Sequence, residues 1–118
     1  VIFDAPPGAA CSFVETVLDS DYCILITEPT PFGLFDLKIA AEVVKKINVP
    51  FGVVINRADV GDDSVADFCK SSGIPIMMKI PYDKEVAVAY SKGIPITEAK
   101  KDYKPRFVEM YKSLKVNA

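Results

Sequence analysis

Short apolar runs recurring about one βα unit apart constrain this chain more than any other feature. Val1–Phe3, Tyr22–Thr27, Phe51–Ile55 and Ile76–Ile80 are rich in β-branched and aromatic residues and lack clean polar alternation. That is the pattern of strands buried on both faces of a parallel sheet. Between the second and third runs, Leu37, Ala40, Val43, Val44 and Ile47 make one helical stripe, with Lys38, Glu42, Lys45 and Lys46 around it. A third helix is predicted from about Ser64 to Ser72, with Val65, Phe68 and Cys69 on one face and Gly73 as its stop. A weaker one covers Ser12 to Leu18, with Asp19-Ser20-Asp21 as its exit turn. Lys84–Ser91 and a last helix near Pro105–Leu114 complete an order of β-α-β-α-β-α-β-α-α. Right-handed crossovers then imply one three-layer α/β domain over residues 1–118, with a mainly parallel sheet and helices on both faces.

Composition removes several function classes. The chain has no histidine, which excludes Ser-His-Asp triads and His-ligated zinc. A net charge of −2 gives no electrostatic reason to expect nucleic acid. Cys11, Cys23 and Cys69 contain no C-x-x-C pair, which argues against a disulfide framework and fits a reducing, cytoplasmic setting. Cys23 falls in a strand and Cys69 on an apolar helix face, so both are expected in the core. No run approaches the ~20 apolar residues of a membrane span.

In open parallel sheets, ligands bind beyond the C-terminal ends of the strands. That rule places Asp4, Thr27–Pro31, Asn56–Asp59 and Pro81–Asp83 on one edge. Asp4-Ala5-Pro6-Pro7-Gly8 either holds Mg²⁺ beside phosphate, with the Gly8 N–H near a phosphoryl oxygen, or is a cap and an ordinary turn. Asn56 either pairs with the edge of adenine through its carboxamide or simply makes a turn. Pro81-Tyr82-Asp83 either lines base and ribose or ends a strand, with Asp83 capping the next helix. Phe32 and Phe35, near a loop tip, suggest packing against another surface.

These segments together resemble the second half of the MinD/ParA/Mrp group of deviant-Walker P-loop ATPases. Within it they are most similar to MinD-superfamily ATPases with an inserted ferredoxin domain. The resemblance rests on VIFDAPPG at Val1–Gly8, ITEPTPFGLFDL at Ile26–Leu37, VVINR at Val53–Arg57, and Ile80–Asp83 followed by Gly93-Ile94-Pro95. It implies that Asp4 acts on Mg²⁺ through its water shell and that Gly8 senses the γ-phosphate. Asn56 would read adenine, with Arg57, Pro81, Tyr82 and Asp83 flanking the nucleotide. It further implies a homodimer closed around ATP and a link to an iron–sulfur or electron-transfer domain.

Cys11 lies seven positions after Asp4, the offset of a cluster cysteine in the nitrogenase iron protein, a distant relative in that group. The two readings of Cys11 are a cluster- or redox-facing thiolate and a small residue at a helix start. One cysteine per chain does not complete a four-cysteine cluster, so an Fe–S centre belongs to the parent and not to these residues alone. The last helix carries an apolar stripe of Phe107, Met110, Tyr111 and Leu114, expected to cover the sheet rather than bind a membrane. The runner-up function is a non-catalytic α/β module that dimerises or binds a partner.

The group's lysine-bearing phosphate loop is not present in these residues: no G-K-[ST] occurs. A triphosphate needs such a loop's N–H groups and lysine to neutralise it. The 118-residue chain is therefore expected to show no ATP turnover above an Asp4→Ala control in a phosphate-release assay; turnover above that control would refute the half-site reading.

Overall fold

The computed structural model describes residues 1–117, and side-chain surroundings for residues 1–114. The elements, in order, are α1 (Cys11–Val17), β1 (Cys23–Thr27), α2 (Pro31–Lys46), β2 (Phe51–Asn56), α3 (Ser64–Ser71), β3 (Ile76–Ile80), α4 (Lys84–Ser91), α5 (Ile96–Ala99) and α6 (Tyr103–Asn117). The sheet has the order β1-β2-β3, with both pairs parallel. This is the expected α/β class, and it is consistent with a P-loop-like fold.

β2 is the central strand and is sealed on both faces: Val53, Val54 and Ile55 are 0, 3 and 2 % exposed. Alternation along each strand divides the core in two. Cys23 and Leu25 of β1 join Val53 and Ile55 of β2 beneath α1, α2 and α3, which contribute Phe13, Val17, Leu37, Ala41, Val44, Val65 and Cys69. On the opposite face Val54 and Met78 meet Tyr103, with Ile24, Ile96, Phe107 and Met110 packed around them. β3 keeps both cores through an irregularity. Val53 pairs with Ile76 but Val54 pairs with Met78, so Met77 is an extra residue that shifts the alternation. Ile76 therefore packs in the first core, and Met78 and Ile80 in the second.

Local chemistry accounts for three of the helix ends. The Thr30 hydroxyl accepts from the Gly33 N–H at 3.0 Å, and Pro31 opens α2, where a missing N–H costs nothing. Gly73, at φ 68°, follows the C-cap of α3 in the left-handed conformation. The Asp83 carboxylate caps α4 by accepting from the Glu85 N–H at 2.8 Å.

Four expectations are corrected. Val1–Phe3 is not a strand; it is exposed chain that hydrogen-bonds to none of β1–β3, because no neighbouring strand lies beside it to pair with. Asp4 consequently does not end a strand. The last helix begins at Tyr103, two residues before Pro105, since proline is tolerated throughout a first turn. Its buried anchor is Tyr103, at 5 % exposed, while Tyr111 is half-exposed, because the helix meets the sheet at its N-terminal end. Cys23 and Cys69 are core residues, as expected. Among the described residues no helix is long and apolar enough to cross a membrane.

Candidate functional site

Parallel strands aim all three exit loops at one edge, and hydrogen bonds tie those loops into a continuous rim. The loop after β1 reaches the loop after β2 where the Asp62 N–H donates to the Pro29 carbonyl at 3.1 Å. The loop after β2 reaches the exit of β3 twice. The Ala58 N–H donates to the Ile80 carbonyl at 2.9 Å, and the Tyr82 N–H donates to the Asp59 carboxylate at 2.6 Å. The Arg57 guanidinium lies 5.3 Å from the centre of the Tyr82 ring, a cation–π contact across the same junction.

Two glycines permit this closeness. A Cβ at Gly61 would lie 2.0 Å from the Pro29 carbonyl oxygen, and its φ of 127° is one that side-chain-bearing residues rarely adopt. A Cβ at Gly33 would lie 2.2 Å from the Glu28 carbonyl oxygen. Backbone atoms cannot swing aside as a side chain can. Asp59 falls within the Asn56–Asp59 segment that the sequence places on this edge, but Gly61 was not singled out, although a glycine two residues past an aspartate in an exit loop was a usable signal.

Asn56 stands exposed at the end of β2, level with Ile80 of β3. Its Oδ1 accepts from the Arg57 N–H at 3.1 Å, and Arg57 adopts a φ of 51°, which turns the chain sharply after the carboxamide. The Asn56 side-chain NH₂ has no protein partner among the described residues, and Oδ1 keeps a second lone pair. One donor and one acceptor thus remain available at the rim, the pair that the edge of adenine requires.

Asp83 is more committed. Besides capping α4, it lies 3.5 Å from Lys100, which also bonds Glu85 at 2.7 Å. Desolvation pushes the Asp83 carboxyl up, but the Glu85 N–H and the Lys100 ammonium outweigh it and hold the group below the ordinary carboxylate range. Lys100 is raised in turn, chiefly by its bond to Glu85. Pro81 and Tyr82 are exposed at the rim.

Asp4 and Gly8 are not drawn into this rim. Both are exposed, and neither makes a hydrogen bond or ion pair with the three loops among the described residues. Gly8 has a φ of 88°. Cys11 is the exposed first residue of α1. The three thiols do not fit an Fe–S cluster within this chain, because Cys23 and Cys69 are buried in the first core, away from an exposed Cys11.

Comparison with known proteins adds relatives. An uncharacterized protein of Methanocaldococcus jannaschii is 36 % identical over 92 residues, 78 % of this chain and 31 % of the relative. An iron–sulfur cluster carrier protein of Aquifex aeolicus is 29 % identical over 111 residues, 81 % of this chain and 30 % of its own length. This chain is similar to iron–sulfur cluster carrier proteins. A cytosolic Fe–S cluster assembly factor of Drosophila melanogaster is 25 % identical over 123 residues, 85 % of this chain and 40 % of the relative. The chain spans about a third of the length of the curated relatives it matches. No family model matches it.

Two outcomes follow from the rim. Gly61→Ala is expected to lower stability by about 2–3 kcal/mol through strain and the loss of the Pro29 contact. Gly52→Ala, whose Cβ would have the movable side chains of Met77 and Tyr22 as its nearest neighbours, costs less; urea unfolding of both variants checks the ranking. A depressed Asp83 pKa stabilises the fold above the ordinary carboxylate value of 3.8, and that contribution disappears as pH falls through the lower, folded value. Asp83→Asn, which keeps a capping oxygen, should therefore flatten the stability–pH curve below about pH 4; an unchanged acid limb in pH-dependent denaturation contradicts this.

Proposed function

We propose that this chain is the switch and base-recognition half of a MinD-like P-loop ATPase whose nucleotide state is coupled to an iron–sulfur or electron-transfer domain. The observation that carries the reading is the joined rim. Asn56 stands at the end of the central strand with a donor and an acceptor available, and the adjacent Arg57 packs over the Tyr82 ring. The likeness to proteins named as iron–sulfur cluster carriers and to a cytosolic assembly factor supports the iron–sulfur side of the proposal and a cytoplasmic setting.

In this reading adenine lies against the rim, where its N6 and N7 meet the Asn56 carboxamide and its faces meet the Arg57–Tyr82 surface. Asp83 takes no proton in that role; it holds the start of α4, and with it the Pro81–Tyr82 turn. The triphosphate and Mg²⁺ require a lysine-bearing loop supplied from outside these residues. Asp4 and Gly8, which lie outside the strands of the sheet, would be set against the phosphates once that part is docked. Mg²⁺, when bound, neutralises phosphate charge; Asp4 would hold it through water. The parent is a homodimer in this reading, with a ferredoxin-like domain as a candidate electron carrier.

A second reading, a non-catalytic partner-binding module, is favoured by one observation. Phe32, Phe35 and Ile39 share a helix face of α2 and are 75, 63 and 41 % exposed.

The two readings separate in the parent protein. Asn56→Ala should weaken adenine-nucleotide binding about 5- to 150-fold, the range for losing one bidentate base contact, and should erase a preference for ATP over GTP. Equal affinity for wild type and variant, by equilibrium dialysis, removes the base-reading assignment.

A further inference from the structure

Beyond β3 the chain has few backbone groups with which to fix its own course. Pro81 has no N–H, so Tyr82 offers the first backbone donor after the strand. That donor is taken by Asp59 Oδ1 at 2.6 Å, from 23 residues earlier in the chain. The Ile80 carbonyl, the last of the strand, is taken by the Ala58 N–H at 2.9 Å. Two adjacent residues of one loop therefore grip the backbone of the neighbouring exit at two points. Two other aspartates of these exits are turned elsewhere: Asp62 accepts from the Ser64 N–H, and Asp83 from the Glu85 N–H beside Lys100.

What the grip fixes is a pair of side chains. The Tyr82 ring carries the Arg57 guanidinium 5.3 Å from its centre, yet 47 % of the residue stays exposed. An exposed cation–π contact is weaker than the rotamer freedom an arginine gives up to make it. The pair therefore does not order itself, and its two ends are set by backbone. Arg57 is aimed by the left-handed turn at φ 51°, and Tyr82 by the bond from its N–H to Asp59.

We infer that Asp59 is a positioning residue for base binding. By holding the Tyr82 backbone, it keeps the Tyr82 ring against Arg57, and the two form a platform for the face of the base whose edge meets Asn56. Flat aromatic and guanidinium groups suit the face of any base, so the platform supplies affinity while the Asn56 carboxamide supplies the choice of adenine. The inference rests on the base-recognition reading above and adds to it a residue that touches no nucleotide. Asp59 has no favourable role toward phosphate, since like charges repel. Its influence is therefore confined to the base.

Calorimetric titration of the parent protein with ATP and with inorganic tripolyphosphate, which lacks the base, tests this. Asp59→Ala should weaken ATP about 5- to 30-fold, as for one lost hydrogen bond to a charged group, and tripolyphosphate by less than about 2-fold. Asp59→Asn, which keeps an acceptor oxygen for the Tyr82 N–H, should restore most of the ATP affinity. In a Tyr82→Ala background Asp59→Ala should add little, because both changes remove the same platform. On the unaltered protein the Tyr82 amide should be protected from hydrogen exchange. Additive losses in the double variant, equal losses for ATP and tripolyphosphate, no rescue by Asp59→Asn, or an unprotected Tyr82 amide overturns the inference. If Asn56→Ala weakens ATP and Asp59→Ala does not, this inference alone falls; if neither does, base recognition falls and takes the inference with it.

Discussion

Burial of β2 on both faces is the constraint on which the rest of the molecule depends. A central parallel strand has no solvent side, so Val53, Val54 and Ile55 each need a hydrophobic neighbour on their own face. The first face is met by helices that follow in close sequence, α1 to α3. The second is met only at the end of the chain, when Tyr103, Phe107 and Met110 of α6 fold back over Val54 and Met78. The extra residue at Met77 belongs to the same requirement, since it keeps both Met78 and Ile80 on the side that α6 covers.

The rim inherits its geometry from that packing. Because three strands run the same way, their exits converge, and short loops meet backbone to backbone. The glycine at 61 and the carboxylate at Asp59 then make the junctions compact. Asn56 owes its position to β2: the strand that is most tightly held in the core delivers to the edge a side chain that can both donate and accept. What the sheet does not organise is equally informative. Asp4, Gly8 and Cys11 belong to the segment before β1, which gains no strand neighbour here and so brings no groups to the rim.

Relatives about three times as long as this chain give that contrast a context. Residues tied to β2 and β3 form a built surface within 118 residues. Those assigned to phosphate and metal by resemblance stand apart from it. On the β3 side the sheet is finished with flanking prolines, Lys79, and an Arg106 guanidinium that donates to the Lys79 carbonyl.

Much of this was legible from residue order. Strands β1 to β3, the stripe of α2, the Gly73 stop and the Asp83 cap follow from local propensity and period, which act within a few residues. Cys23 and Cys69 could be assigned to the core because each sits on an apolar face of a periodic element. The position of Asn56 at a strand end was equally readable. Other features depended on neighbours distant in sequence. Val1–Phe3 has the composition of a strand, yet a strand exists only where another backbone lies alongside to bond it. Tyr103 rather than Tyr111 became the anchor of α6 because the sheet, not the helix, chose which turn it touched. The tie from Asp59 to Tyr82 spans two adjacent strand exits, so no single segment could announce it. The sequence by itself determined which segments form elements and which residues they offer; only the tertiary structure decided which of those residues meet, because pairing and packing depend on what lies beside them in space.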